Sequence, residues 1–249
     1  MNEREYHDQH YEAEAAKIQN TAVFTRVHDR VSRQFLRATR AAPHQRILSL
    51  GCGDGSIELR LAPHVAQIVG LDISSVAIER ARAKAASAGL GNVSFAVFEG
   101  DSASMAGLGK FDVVAAFAFL HHLDEAAIRD TLLAARKALR PGGVFYSADP
   151  SRRRLIGHFA GLVRSAYDRY HSPDERELDP YALAALCSQA GFEPVIGYVD
   201  YFLGPLAWLA PGTPAWLASA LEALDNAALG VPLLRRYASS FSLLARTSA

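Results

Sequence analysis

Three glycines at alternate positions, Gly51, Gly53 and Gly55, close the apolar run Ile47-Leu48-Ser49-Leu50, and a helical pattern follows. Glycine tolerates φ > 0 and leaves space where a Cβ would stand, so a ligand can approach the backbone of such a turn. The next helix adds free N–H groups at its start. Acidic side chains then recur at the ends of apolar runs. Asp72 lies 17 residues after Gly55, and Asp101 follows Gly100. A carboxylate in the first position can accept from both hydroxyls of a vicinal diol such as a ribose, and one in the second from an exocyclic amine. Each also has a plainer reading, Asp72 as a cap before Ser74 and Asp101 as a turn residue. Their recurrence at successive run ends favours one shared crevice. His121 and His122 follow the fourth run. Imidazole suits proton removal near neutral pH, though such a pair also serves simply to shape a turn. Arg152, Arg153 and Arg154 follow the fifth run, where guanidinium forks match phosphate or carboxylate oxygens or form a solvated basic turn.

The elements that must position these groups alternate in type. Strands are predicted over Ile47–Leu50, Gln67–Leu71, Val93–Phe98, Phe111–Phe117 and Val144–Ala148. Helices are predicted over Ser74–Ala88, with Ser74 as N-cap and Gly89 as stop, and over Glu125–Leu139. That alternation predicts an α/β fold, a doubly wound parallel sheet with helices on both faces. Asp179 caps a further helix with Pro180 at its first position, ending near Gly191. Val195–Val199 and Phe241–Arg246 read as the last strands. Before the first strand, residues 21–41 read as an amphipathic helix, with Val23, Phe24, Val27, Val31 and Phe35 on one side. Its arginines, from Arg26 to Arg40, read as a solvated face. Residues 1–20 read as a polar helix on which Tyr6/His10 and His7/Tyr11 share faces, a surface helix or a flap whose aromatic ring closes on a ligand. His7 and His10 lack a third neighbour for a metal, and no metal site is expected.

The 249 residues carry 26 basic and 26 acidic side chains, so the formal net charge is zero, which argues against nucleic acid as an obligate partner. Two cysteines, Cys52 and Cys187, make no disulfide framework. The polar start Met1-Asn2-Glu3-Arg4 reads as no signal peptide, and no apolar run reaches 18 residues. A cytoplasmic location without a transmembrane segment is the expectation.

The motifs Leu48-Ser49-Leu50-Gly51-Cys52-Gly53-Asp54-Gly55, Gly70-Leu71-Asp72-Ile73-Ser74, Glu99-Gly100-Asp101, Phe111-Asp112-Val113-Val114, Leu120-His121-His122-Leu123 and Leu139-Arg140-Pro141-Gly142-Gly143 together resemble the class I S-adenosylmethionine-dependent methyltransferases. The resemblance covers residues 46–149 well and the ending loosely. It implies a Rossmann-like sheet of seven strands, the last antiparallel, with helical lid insertions. It also implies a single domain over 1–249, with an N-terminal helical flap 1–42, a cofactor-binding core 46–149 and substrate-side insertions 151–178 and 201–236. S-adenosylmethionine would lie on Gly51, Cys52 and Gly53, with its ribose on Asp72 beside Ile73. Asp101 and Ser102 would take the adenine, Phe117 would line the methionine side, and Tyr11 would close the flap.

One position departs from the family. Two residues before the first glycine, where the family usually has Asp or Glu, stands Ser49. The cofactor ammonium would then rely on backbone carbonyls near Gly51 and Phe117. A charge-assisted hydrogen bond is worth about 1.5–3 kcal/mol against about 1 for a neutral one, so weaker cofactor binding is expected. The resemblance also puts the reacting methyl near His121 and His122, as candidate bases. Substrate would meet Phe119, Asp149, Arg152, Arg154, Tyr170, His171 and Tyr201. Insertion aromatics such as Trp208 and Trp216 suit a small apolar or aromatic acceptor, with the arginines for an anionic group; O, N and C remain open as acceptor atoms. The 201–236 region could also mediate a homodimer. Two other readings stay open: a non-catalytic cofactor-binding partner subunit, and a nicotinamide-dependent oxidoreductase, whose fold also pairs a glycine turn with a later acid.

Overall fold

The computed structural model describes residues 4, 5, 8, 11, 21–98, 107–155 and 176–247. Seven strands form one sheet: β1 Arg46–Leu50, β2 Gln67–Asp72, β3 Val93–Val97, β4 Phe111–Phe117, β5 Leu139–Pro150, β6 Phe192–Asp200 and β7 Ser240–Thr247. Their order is β3-β2-β1-β4-β5-β7-β6, and β7 runs antiparallel to both neighbours. The predicted doubly wound sheet with an antiparallel last strand is therefore the observed one. The order reverses between β1 and β4, which opens a crevice at the carboxyl ends of the strands.

Alternation along each strand splits the core into two layers. Leu48 and Leu50 of β1 face α4 (Glu125–Ala138) and α5 (Pro180–Gln189), packing with Leu132 and Leu183. Ile47 faces the other way, toward Phe35 of α1 (Ala22–Thr39) and Leu61 of α2 (Glu58–Leu61). Ser49 shares that second face by parity, which puts its hydroxyl beneath α2. The helix expected after the glycines is the short α2 followed by a 3-10 turn, Ala62–His64. Pro63 lacks the N–H that another α-helical turn would need. Ser74 caps α3 (Ser75–Ser87) by accepting from the Ala77 N–H, and Asp179 caps α5 from the Tyr181 and Ala182 N–H groups.

Residues 201–236 fold into α6 (Leu203–Leu209), α7 (Ala215–Leu229) and α8 (Pro232–Arg235). These helices dock on α1, and the arginines expected to face solvent are what hold them. Arg26, Arg30 and Arg33 converge on Glu222 of α7 at 3.3, 3.6 and 2.5 Å. Arg30 is buried, and its Nε donates to the Val199 carbonyl. Buried Asp225 of α7 accepts the backbone N–H groups of Tyr201, Phe202 and Leu203. The second half of the expected 1–42 flap is thus core, with Val23, Phe24 and Phe35 buried. Trp216, Leu224 and Leu233 remain exposed in the region for which the sequence suggests self-association. Among the described residues no helix is long and apolar enough to cross a membrane.

Candidate active site

A cavity of about 310 Å³ fills the crevice. Its floor is the turn Gly51-Cys52-Gly53 together with Phe117 and Ala118 after β4. Asp149 and Pro150 end β5, Ser239 precedes and Ser240 begins β7, and Asp200 ends β6; together they form one polar wall. Phe24, Val27 and Val31 of α1 and Pro205, Trp208 and Leu209 of the α6 segment form an apolar wall. The Phe24 and Trp208 rings meet edge to face at 4.9 Å.

The glycine turn is crowded where the sequence expects close approach. Gly51 and Gly53 have φ of +64° and +52°, and a Cβ on them would stand 2.3 Å from the Phe119 ring and 2.2 Å from the Tyr11 hydroxyl. Tyr11 thus reaches the cavity from the N-terminal segment. Asp8 of that segment accepts from the Ser74 hydroxyl at 2.5 Å. Burial holds the Tyr11 phenol well above its ordinary range, reinforced by Asp72. Asp72 sits at the end of β2 as expected. Its Oδ2 accepts from the Gly53 N–H at 2.7 Å and its Oδ1 from the Ser74 N–H at 2.9 Å. Ile73 follows it, half-buried. Asp101, Ser102, Tyr170 and His171 lie outside the described residues.

Several candidates stand elsewhere than expected. Ser49 does not line the cavity; it is buried, and its hydroxyl donates to Glu58 Oε1 at 2.6 Å. Leu120–His122 form a 3-10 turn that tucks His121 behind Asp149, with His121 Nδ1 and Asp149 Oδ1 3.3 Å apart. Asp149 lines the cavity, and neither His121 nor His122 does. His122 stacks on His121, ring centroids 4.1 Å apart. Phe119 covers Gly51 rather than the cavity. Of the arginines, Arg154 lines the cavity and is ion-paired with Glu177. Arg152 is exposed, while Arg153 binds Asp179 at 2.8 Å and stacks on Tyr181. Successive side chains diverge, so only one of the three points inward. Tyr201 is buried and does not line the cavity; its hydroxyl donates to the Leu234 carbonyl.

Three wall residues escaped the sequence reading. Burial lowers the His28 imidazole to about 4, so it stays neutral near pH 7. Asp200 is raised to about 6 by burial and by the charge of Asp225. Glu58, in the first turn of α2, lines the cavity. The parity of Ser49 was the available signal.

Ala118 holds φ of +47° at the cavity floor. The left-handed region costs a non-glycine residue about 1–2 kcal/mol, and glycine's extra chain entropy costs about 0.5–1. Ala118→Gly should therefore stabilise the protein by about 1 kcal/mol in urea denaturation. A loss of stability of that size would mean that the neighbours, not the backbone, set this conformation.

Residues 48–145 match the family described as Methyltransferase domain. An uncharacterized methyltransferase of Synechocystis sp. is 31% identical over 162 residues, 62% of this chain and 69% of that protein. The chain belongs to the class I S-adenosylmethionine-dependent methyltransferases. A ubiquinone biosynthesis O-methyltransferase of Aromatoleum aromaticum is 28% identical over 153 residues, 60% of the chain and 64% of that enzyme. Among solved structures, the Synechocystis magnesium protoporphyrin IX methyltransferase with bound S-adenosylhomocysteine superposes with a TM-score of 0.66 at 17% identity, over 98% of each chain. At that identity the likeness concerns the fold.

The residues present fit the methyltransferase cofactor. Asp72 stands at the carboxyl end of β2 beside the glycine turn, the place where a carboxylate meets a ribose diol in such sheets. The glycine turn presents backbone without Cβ atoms. Buried Glu58 Oε2 has no hydrogen-bond partner among the described residues and would suit a cationic group.

Proposed function

We propose that this methyltransferase acts on an O–H or N–H group of a small, uncharged, largely apolar or aromatic molecule. The carrying observation is the contrast between the two cavity walls, apolar on α1 and α6, acidic at Asp149 and Asp200. The relative that bears the name of a ubiquinone biosynthesis O-methyltransferase supports a hydroxylated ring as acceptor. Arg154 brings no net positive charge, because Glu177 neutralises it, so an anionic group on the acceptor has little to recommend it.

Bound S-adenosylmethionine supplies an electrophilic methyl on a sulfonium that departs as a neutral thioether. The chain's own work is then alignment and proton handling. Asp72 would hold the ribose and Phe117 would line the methionyl end, while by the resemblance the adenine would fall to Asp101 and Ser102, which lie outside the described residues. Tyr11 closes the turn from above. Phe24 and Trp208 clamp the acceptor's apolar face. Asp149 accepts the hydrogen bond of the reacting O–H or N–H. His121 stands behind it and orients the carboxylate through its ring and its backbone N–H.

Turnover with S-adenosylmethionine and a panel of phenols, catechols, arylamines and phosphorylated counterparts tests this reading. Neutral hydroxylated or amino aromatics should yield S-adenosylhomocysteine, and their phosphate esters should not. Turnover confined to anionic acceptors would overturn it, and cofactor binding without turnover of any kind would favour a non-catalytic partner subunit. With a working acceptor, Trp208→Ala should raise its KM about tenfold, since it removes the edge-to-face partner of Phe24 along with apolar area. Cofactor affinity should stay within twofold, and an unchanged KM would detach α6 from acceptor binding.

A further inference from the structure

Glu58 is a buried acid whose charge is unmet. It is 1% exposed and lines the cavity beside Gly51, Cys52 and Gly53. Its Oε1 accepts from the Ser49 hydroxyl at 2.6 Å, while Oε2 has no hydrogen-bond partner among the described residues. No arginine or lysine of the described residues forms an ion pair with it. Lys84 is bound instead to Asp54 at 2.5 Å and to the Ser56 hydroxyl, and Arg60 to Asp29 at 2.7 Å. A buried carboxylate left unpaired is costly. A ligand that brings a cation to this end of the cavity would remove that cost.

We infer that Glu58 is the cofactor's ammonium acceptor in this chain, held in place by Ser49, and that it makes cofactor binding depend on pH. The inference rests on the cofactor assignment. S-adenosylmethionine carries two cationic centres, the α-ammonium and the sulfonium. An ammonium donates hydrogen bonds and a sulfonium does not, so an oxygen lacking a donor selects the former. Ser49 then acts as a positioning residue. It occupies one carboxylate oxygen from below and leaves the other for the ligand.

The pH dependence follows from the surroundings. Burial pushes the Glu58 carboxyl up to about 7, with the Ser49 hydrogen bond partly opposing. The groups around it are Asp54 and Asp72 on the sheet side, Cys52 in the turn, Tyr11 above, and His28 on α1 across the cavity. Burial raises Cys52 and Tyr11 and lowers His28, so these three stay neutral near pH 7. Asp54 is pushed up by burial, but Lys84 and Ser56 outweigh this and hold it below its ordinary value. Asp72 is tied to backbone N–H groups of Gly53 and Ser74. A cation favours the carboxylate, so binding expels the Glu58 proton, and affinity rises with pH through about 7. Without ligand the sign is the reverse for stability. Between about 4.3, the usual value for a glutamate in an unfolded chain, and 7, the folded protein keeps a proton that the unfolded chain has lost. Stability without ligand therefore falls as pH rises through that window.

Calorimetry with three ligands tests the inference on the intact chain. Wild type should bind S-adenosylmethionine and S-adenosylhomocysteine, with protons released near pH 7 that are read from buffers of different ionisation enthalpy. Glu58→Gln should weaken both ligands about thirtyfold at pH 8, in line with a lost charge-assisted hydrogen bond. It should leave 5′-methylthioadenosine, which lacks the amino-acid end, unchanged, and it should abolish the proton release. The same variant should melt higher than wild type at pH 8 without ligand, which a merely structural glutamate would not do. Ser49→Ala should move the midpoint of the affinity–pH curve upward. Loss confined to S-adenosylmethionine would shift the role to the sulfonium and overturn the ammonium assignment. Equal binding by wild type and Glu58→Gln, or wild-type binding with no proton release, would overturn the inference and spare the cofactor. Failure of wild type to bind either cofactor form would strike the cofactor assignment itself. Should Glu58→Gln not fold, the proton release of wild type still decides.

Discussion

Asp72→Ala should weaken S-adenosylmethionine binding by about 2–4 kcal/mol, roughly thirtyfold to a thousandfold, because two hydroxyls lose a charged acceptor. The position of Asp72 makes the effect larger than a lost ligand contact. Its Oδ2 also holds the Gly53 N–H and its Oδ1 the Ser74 N–H, so the carboxylate ties the glycine turn to the start of α3. Asp72→Asn keeps one oxygen acceptor and should lose less. The ligand can separate the two contributions. Adenosine should lose the same factor as the full cofactor in Asp72→Ala, since both carry the diol, whereas 2′-deoxyadenosine should lose much less. Calorimetry that finds the cofactor affinity of Asp72→Ala unchanged would remove the ribose assignment, whatever the turn does.

The contrast between Asp72 and Ser49 shows what a sequence makes legible here. Asp72 could be read in advance because strand two ends at a fixed distance from the glycine turn and parallel strands deliver their ends to one crevice. The same logic located Gly51 and Gly53, while Phe117 and the antiparallel last strand were implied by the resemblance to the methyltransferases. Ser49 looked like a missing acid. The acid that meets its hydroxyl, Glu58, stands nine residues on, and the contact is set by how α2 packs over β1. Local pattern does not encode such packing. The arginines of α1 divide: Arg33, Arg37 and Arg40 are exposed as their spacing suggests, whereas Arg26 is half-buried and Arg30 buried. The partner that covers those two, α7, lies 196 residues away in the chain. His121 was singled out in sequence as a candidate base, and what sequence did not show is that the 3-10 turn at Leu120–His122 sets it against Asp149, which lines the cavity, while the ring itself does not.

That turn leads to the second large effect. Asp149 is 2% exposed and lines the cavity; its Oδ1 is engaged by the backbone N–H and the ring of His121, each at 3.3 Å. Its Oδ2 has no hydrogen-bond partner among the described residues. One oxygen is thus fixed and the other is left for the acceptor, the arrangement a proton-accepting carboxylate needs. On the proposed function the histidine orients, and the aspartate touches substrate. Asp149→Asn preserves shape but cannot take a proton, so kcat should fall about 100- to 1,000-fold, within the range general base catalysis supplies. Cofactor affinity should hold within twofold, because the proposed methionyl and ribose anchors, Glu58 and Asp72, lie on other elements. His121→Gln should cost less, about tenfold, since the backbone N–H still holds Oδ1. The order of the two effects is the sharp part of the expectation. If His121→Gln costs more than Asp149→Asn, the imidazole reaches the acceptor itself and the aspartate merely orients it. If Asp149→Asn stays within threefold of wild type in kcat/KM, the acceptor loses its proton to solvent and the enzyme works by alignment alone.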